Sequence, residues 1–251
     1  RKKAFGENHV EVAKALSWLG DLYIAQSNYK KADLFARESI EIPLTYIQKE
    51  APFFATSDRV DFVNSVGNSP SIFPNVFRSQ GLAETGLFFR LNKQGILETI
   101  EKRQSQFAAL SGPQKIINQQ LREVTQQLSS TNLNDNQREK LRSIKEELER
   151  KLYRLLPKLE PRIVEVDQVA NAIPLNGLLV EFQRSIPFES RKLDEKEWEQ
   201  TRYLALTLTP KGKVEVFDLG LASPIEQKIQ ANQLENVENP SYKFHFVSVA
   251  D

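Results

Sequence analysis

A chain of 251 residues with 40% hydrophobic and 27% charged residues has the balance of a globular protein, long enough for one to three packed units. Its 34 Lys plus Arg against 33 Asp plus Glu leave a formal net charge of +1, so no basic field exists for nucleic acid. Cysteine is absent, which removes disulfides, thiolate metal sites and any thiolate nucleophile.

No apolar run approaches the ~18 residues of a membrane helix, and no signal-peptide core is present. The lack of cysteine fits a cytoplasmic protein, and with scattered glycines forming no phosphate loop and no histidine pair at metal spacing, no cofactor is expected. Methionine is also absent, and Arg1 reads as mid-motif, so the chain is expected to be a piece of a longer parent.

Residues 9–42 predict two amphipathic helices. Val12, Leu16, Leu19, Tyr23 and Ile24 recur at helical spacing, Ser27-Asn28 marks a turn, and Tyr29, Ala32, Leu34, Phe35, Ala36, Ile40 and Ile42 follow. Pro43 should stop or kink the second helix. Gly20 and Ala32 would let the two backbones approach. Leu16-x2-Leu19-Gly20-x2-Tyr23 followed by Ala32 resembles a tetratricopeptide repeat, and Gly6-Glu7-Asn8-His9 resembles its inter-repeat linker. Ala36 and Ser39 depart from the repeat's pattern. One helix pair cannot bury its own faces, so the resemblance implies a stacked array of which this is the last member. It also implies a groove for a protein or peptide partner on the first helix, at Lys14, Ser17, Asp21 and Ile24. The alternative is that these four are ordinary solvated positions.

Residues 43–66, with Phe53, Phe54, Val60, Phe62 and Val63, predict another helix pair, and Gly67-Asn68-Ser69-Pro70 predicts a turn. A helix near 75–92 would bury Leu82, Leu87, Phe88 and Leu91, with further helix beyond Gly95. Residues 114–156 are the most periodic. Ile117, Leu121, Val124 and Leu128 form one stripe, and Leu141, Ile144, Leu148, Leu152 and Leu155 a second, predicting an antiparallel hairpin with coiled-coil-like seams.

Composition then changes. Val166 to Ile173 reads as a short helix and Gly177 to Phe182 as a largely buried strand. Arg202–Thr209 and Lys213–Gly220 alternate around Pro210-Lys211-Gly212, a β-hairpin signal, and a helix begins near Ser223-Pro224. Asp194, Glu195 and Glu197 fall in a charged loop beside Trp198, and Tyr242–Val249 alternates like a strand. The order of these elements, with Leu178–Phe182, Arg202–Ala205, Val216–Gly220 and Pro224-Ile225, resembles the opening of a CHAT domain, a caspase-like fold that commonly follows tetratricopeptide repeats. Arg90–Gly95 resembles its lead-in.

The expected class is therefore α+β. A repeat at 1–43 and a helical connector at 44–160 would lead into a small β-sheet at 161–251, the N-terminal portion of a CHAT-like α/β domain. The resemblance implies a cysteine endopeptidase with a His-Cys dyad, but neither residue carries over. His9 lies in the repeat linker, His245 precedes Phe246 rather than glycine, and no cysteine exists. The expectation is a non-catalytic segment, not an enzyme in itself, that binds a protein partner and couples to a peptidase core absent from this chain. The alternatives are a stand-alone interaction scaffold with a degenerate CHAT remnant and, last, a noncanonical hydrolase using His245.

Overall fold

The computed structural model describes residues 9–66, 72–108, 112–129, 133–155, 160–185 and 201–238. Helix α1 (Val10–Ala25) is capped by its preceding histidine, whose Nδ1 accepts from the Glu11 N–H at 3.1 Å. Ser27 turns the chain at φ 56°, and the Asn28 side chain caps α2 (Tyr29–Glu50). The two helices meet at Gly20, where a Cβ would sit 3.6 Å from both the Ala32 carbonyl oxygen and the Ala36 nitrogen. Tyr23 stacks on Phe35 with ring centres 5.4 Å apart. Leu19 departs from expectation: the buried line of α1 runs through Val12, Ala13, Leu16, Gly20 and Ile24, which turns Leu19 outward.

Pro43 does not end α2, which continues to Glu50. An interior proline removes a backbone bond and costs about 3 kcal/mol. Leu44 and Ile47, at 1% and 0% exposure, bury immediately after it and offset that cost. The helix pair expected over 43–66 is instead the end of α2, a 3-10 turn at Ala51–Phe53 and one helix, α3 (Thr56–Val66). A second 3-10 segment, Phe73–Arg78, leads into α4 (Gln80–Lys93), whose cap is the Ser79 hydroxyl. Gly95, at φ 68°, separates α4 from α5 (Ile96–Ala108).

Helices α6 (Pro113–Leu128) and α7 (Asp135–Leu155) form the expected hairpin, but its seam is shallow. No residue of α6 is fully buried, and Ile144 and Leu155 of the second stripe are exposed. Burial gathers at the base, where Leu152 and Tyr153 pack with Ile117 and Leu121. There a buried carboxylate joins hairpin to body. Glu149 accepts from the Thr56 N–H at 2.8 Å and the Thr56 hydroxyl at 3.0 Å, capping α3 from another helix, and pairs with Lys145 at 2.6 Å.

The extended residues before α8 (Val166–Ala172) are held by two side-chain amides. Gln48 donates to the Arg162 carbonyl at 2.9 Å and accepts from its N–H at 2.7 Å. Asn92 accepts from the Val164 N–H at 2.7 Å and donates to the Val164 and Phe88 carbonyls, each at 2.9 Å. Arg37 of α2 adds an ion pair to Glu165 and lies over the Phe88 ring.

Three antiparallel strands follow in the order β1 (Leu179–Ser185), β2 (Arg202–Leu208), β3 (Val214–Leu221), and α9 (Ala222–Glu238) leaves the last strand. Here two expectations exchange places. β1, expected buried, is an edge strand of alternating exposure, and β2, expected to alternate, is buried along most of its length. Position explains both. Leu204, Leu206 and Leu208 face the core, while Ala205 lies in register between Phe182 and Phe217, so the central strand is flanked on its other face too. Near the end of β3 a bulge falls between Tyr203 and Leu204. It is tied by Arg202 to Asp218 at 2.8 and 3.0 Å and by the Gly220 N–H to Asp218 at 2.9 Å, with Gly220 at φ 98°.

The main core is one contiguous cluster. It contains Ile24 of α1, Ala32, Ile40 and Ile47 of α2, Leu82, Leu87 and Phe88 of α4, and Leu204, Leu206, Leu208 and Val214 of the sheet. Helix α4 is the junction, packing on α2, α8, β1 and β3. The chain is thus mostly helical with a small sheet, an α+β protein.

Candidate functional site

The four groove positions do not share one environment. Lys14 is exposed and paired with Glu11 at 2.6 Å, Ser17 and Asp21 are half-buried, and Ile24 belongs to the main core. Three of them form an open flank of α1, and Ile24 is enclosed between helices. His9, the one described histidine, serves as the α1 cap. The loop with Asp194, Glu195, Glu197 and Trp198, the turn at 67–70 and the segment with His245 lie outside the described residues.

Two apolar surfaces stand out instead. On α1, Trp18 is 63% exposed and Leu22, one turn later, 51%, with Leu19 beside them. On the sheet, the face turned from the core carries Val180 and Phe182 of β1 and Phe217 of β3, with Leu178 at its edge. Scattered exposed leucines need no explanation, but aromatic residues grouped on one face mark surfaces that take a partner. Sequence periodicity could have revealed the α1 stripe, since residues 18 and 22 sit four apart. Reading Leu19 into the core hid it.

The sheet face has a charged margin at its α9 side. Glu226 of α9 pairs with Arg184 at 3.2 Å and accepts from the Tyr203 hydroxyl at 3.2 Å. Burial, and then that bond to a carboxylate, push the Tyr203 phenol above its ordinary pKa, so it stays protonated. These groups hold α9 against the strand ends. None is poised as a nucleophile–base pair, which would need a reactive group within hydrogen-bond reach of a base. Among the described residues no group of three or more His, Asp or Glu could hold a metal ion, and no helix is long and apolar enough to cross a membrane.

Compared with known proteins, the chain matches no family model, no curated protein and no solved structure. The functional reading therefore rests on its own residues.

Proposed function

We propose that this chain is a non-catalytic interaction and coupling segment of a protein that joins tetratricopeptide-like repeats to a caspase-like CHAT domain, the peptidase core lying outside this chain. The helix pair receives a protein or peptide partner, and the sheet carries the response. The observation that supports this reading is the continuity of the core from Ile24 through Leu82 and Phe88 to Leu206, with apolar surface left open on both α1 and the sheet. A partner seated on α1 bears on α2, and α2 bears on α4, which packs on β1 and β3. Packed interiors transmit strain because they have few voids to absorb it. The absence of cysteine assigns this segment no part in thiol chemistry.

The reading frame beyond Asp251 tests the proposal. A His-Gly pair followed by a later cysteine supports the coupling role. A frame without them favours a stand-alone interaction scaffold, for which the open sheet face with Phe182 and Phe217 would be the docking surface. A peptide-cleavage screen of the 251-residue chain is expected to give no turnover, and cleavage lost on His245→Ala would refute a non-catalytic role.

A further inference from the structure

The ladder of the sheet fixes which backbone groups of β1 are left over. At the hairpin turn the Thr209 N–H donates to the Lys213 carbonyl at 3.1 Å, which makes these two a bonded pair. Bonded and non-bonded pairs alternate along an antiparallel ladder, so Ala205 and Phe217 are bonded as well. Ala205 then turns its N–H and C=O away from Phe182, its partner on β1. The N–H and C=O groups of Val180 and Phe182 therefore point off the sheet, where no described residue bonds them. Such an edge accepts a further strand. Its side chains alternate, with Val180 and Phe182 on the face turned from the core and Gln183 and Glu181, the latter held by Arg90 at 3.2 Å, on the other.

Helix α9 shows which way the chain leaves. Arg184 and Tyr203 lie on the face turned from the core, and both bond to Glu226 at 3.2 Å. Since α9 starts at the end of β3, by its second turn it has passed β2 on that face and reached the C-terminal end of β1. Handedness gives the same direction. Seen from that face with β3 running upward, an L-residue pointing at the viewer directs its N–H and C=O to the right. Phe217 is such a residue and bonds to β2, so β2 and then β1 lie to the right of β3. A helix crossing on the viewer's side returns to a parallel strand in the right-handed sense, which is also to the right. β1 runs parallel to β3, both being antiparallel to β2, so the next parallel position is the free edge of β1.

We propose that this edge is the docking site of residues 242–249 of the same chain, which lie outside the described residues, as a strand parallel to β1; the placement is independent of the coupling role above. The length fits. From Glu226 to the end of α9 at Glu238 the helix spans ~18 Å, close to the ~20 Å of β1, so it can carry the chain back to the start of that strand. Asn239-Pro240-Ser241 then supplies turn chemistry. The pattern fits too. Tyr242, Phe244 and Phe246 alternate with Lys243 and His245. With the aromatics beside Val180 and Phe182, Lys243 falls on the side of Glu181, apolar next to apolar and cation next to carboxylate. Ile225 and Ile229, four apart on α9 and the second 49% exposed, gain an apolar strand to rest on.

The test is NMR on the 251-residue chain, reading nuclear Overhauser contacts and amide hydrogen exchange. The Val180 and Phe182 amides are expected to show contacts to backbone protons of residues 242–249. In a sample mixing labelled and unlabelled chains, those contacts should stay within one chain. Phe244→Asp combined with Phe246→Asp should speed exchange of the two amides about tenfold, the equivalent of one lost hydrogen bond each. The β2 amides, bonded on both sides, should keep their protection and so report that the variant is folded. Unprotected Val180 and Phe182 amides in the wild type, or equal exchange in the variant, overturns the proposal. So do contacts from the segment to the Val216 or Asp218 amides on the opposite edge, which would reverse the crossover, and contacts found only between chains, which would make the occupant a second copy.

Discussion

Gln48 and Asn92 each satisfy both backbone groups of a residue far along the chain, Arg162 at a separation of 114 and Val164 at 72. A single amide that both donates and accepts copies the pairing of a β-bridge, so these residues hold an extended segment against helices. Asn92→Leu should lower stability by about 1–2 kcal/mol, since the peptide groups of Val164 lose their partner, and urea unfolding will measure it. Asp218 makes a second prediction. Burial raises its pKa, but hydrogen bonds from Arg202 and the Gly220 N–H outweigh that and leave it below the ordinary carboxylate value. Its stabilisation is thus complete above the unfolded pKa, near ~3.9, and is lost as pH falls through the lower folded value. Wild type and Asp218→Asn compared by urea unfolding should converge as pH drops below about 4 and separate above it; a constant difference would contradict this. None of these roles is written in residue spacing. Periodicity reports which face is apolar, whereas a carboxamide paired with a distant backbone leaves no local mark.

The elements were more legible than their contexts. Helical periodicity found α1, α2, α6 and α7, and the Pro210-Lys211-Gly212 turn found the β2–β3 hairpin. The signals fail where tertiary packing overrides a local rule. Pro43 is a strong stop signal, yet Leu44 and Ile47 gain enough burial to carry the helix past it. Leu178, Leu179 and Val180 look like a buried strand by composition, but burial depends on a strand's place in the sheet, and β1 lies at the edge. The same edge strand gives a prediction. Phe182→Lys should change stability by less than about 1 kcal/mol, because half its surface is already open, and should reduce any concentration-dependent association seen by light scattering. Undiminished association would remove this face from the interaction surface. At the hairpin base, Glu149→Ala strips α3 of its cap and Lys145 of its partner. A loss of about 2–3 kcal/mol is expected, with faster amide exchange in α6 and α7. Unchanged exchange there would mean that the carboxylate does not dock the hairpin.

The whole molecule is organised about α4. Gly86 shows how closely it is packed: a Cβ there would lie 2.7 Å from Val76 Cγ1 and 3.5 Å from Leu206 Cδ2, so one residue without a side chain lets helix, 3-10 segment and sheet meet. The end of the repeat-like helix pair near Pro43 and the change of composition after the hairpin divide the sequence into repeat, connector and sheet. The core crosses those changes, since Ile24 and Leu206 belong to one cluster. The coupling account requires that a disturbance in the helix pair reach the strands. Hydrogen-exchange mass spectrometry of Gly20→Leu measures this directly, because the larger side chain wedges α1 from α2 where the backbones meet. The account predicts a loss of about 1–3 kcal/mol, with exchange of β2 amides accelerating by the same factor as those of α1 and α2. Faster exchange confined to α1 and α2, with β2 at its wild-type rate, would show that the helix pair opens alone and would contradict it.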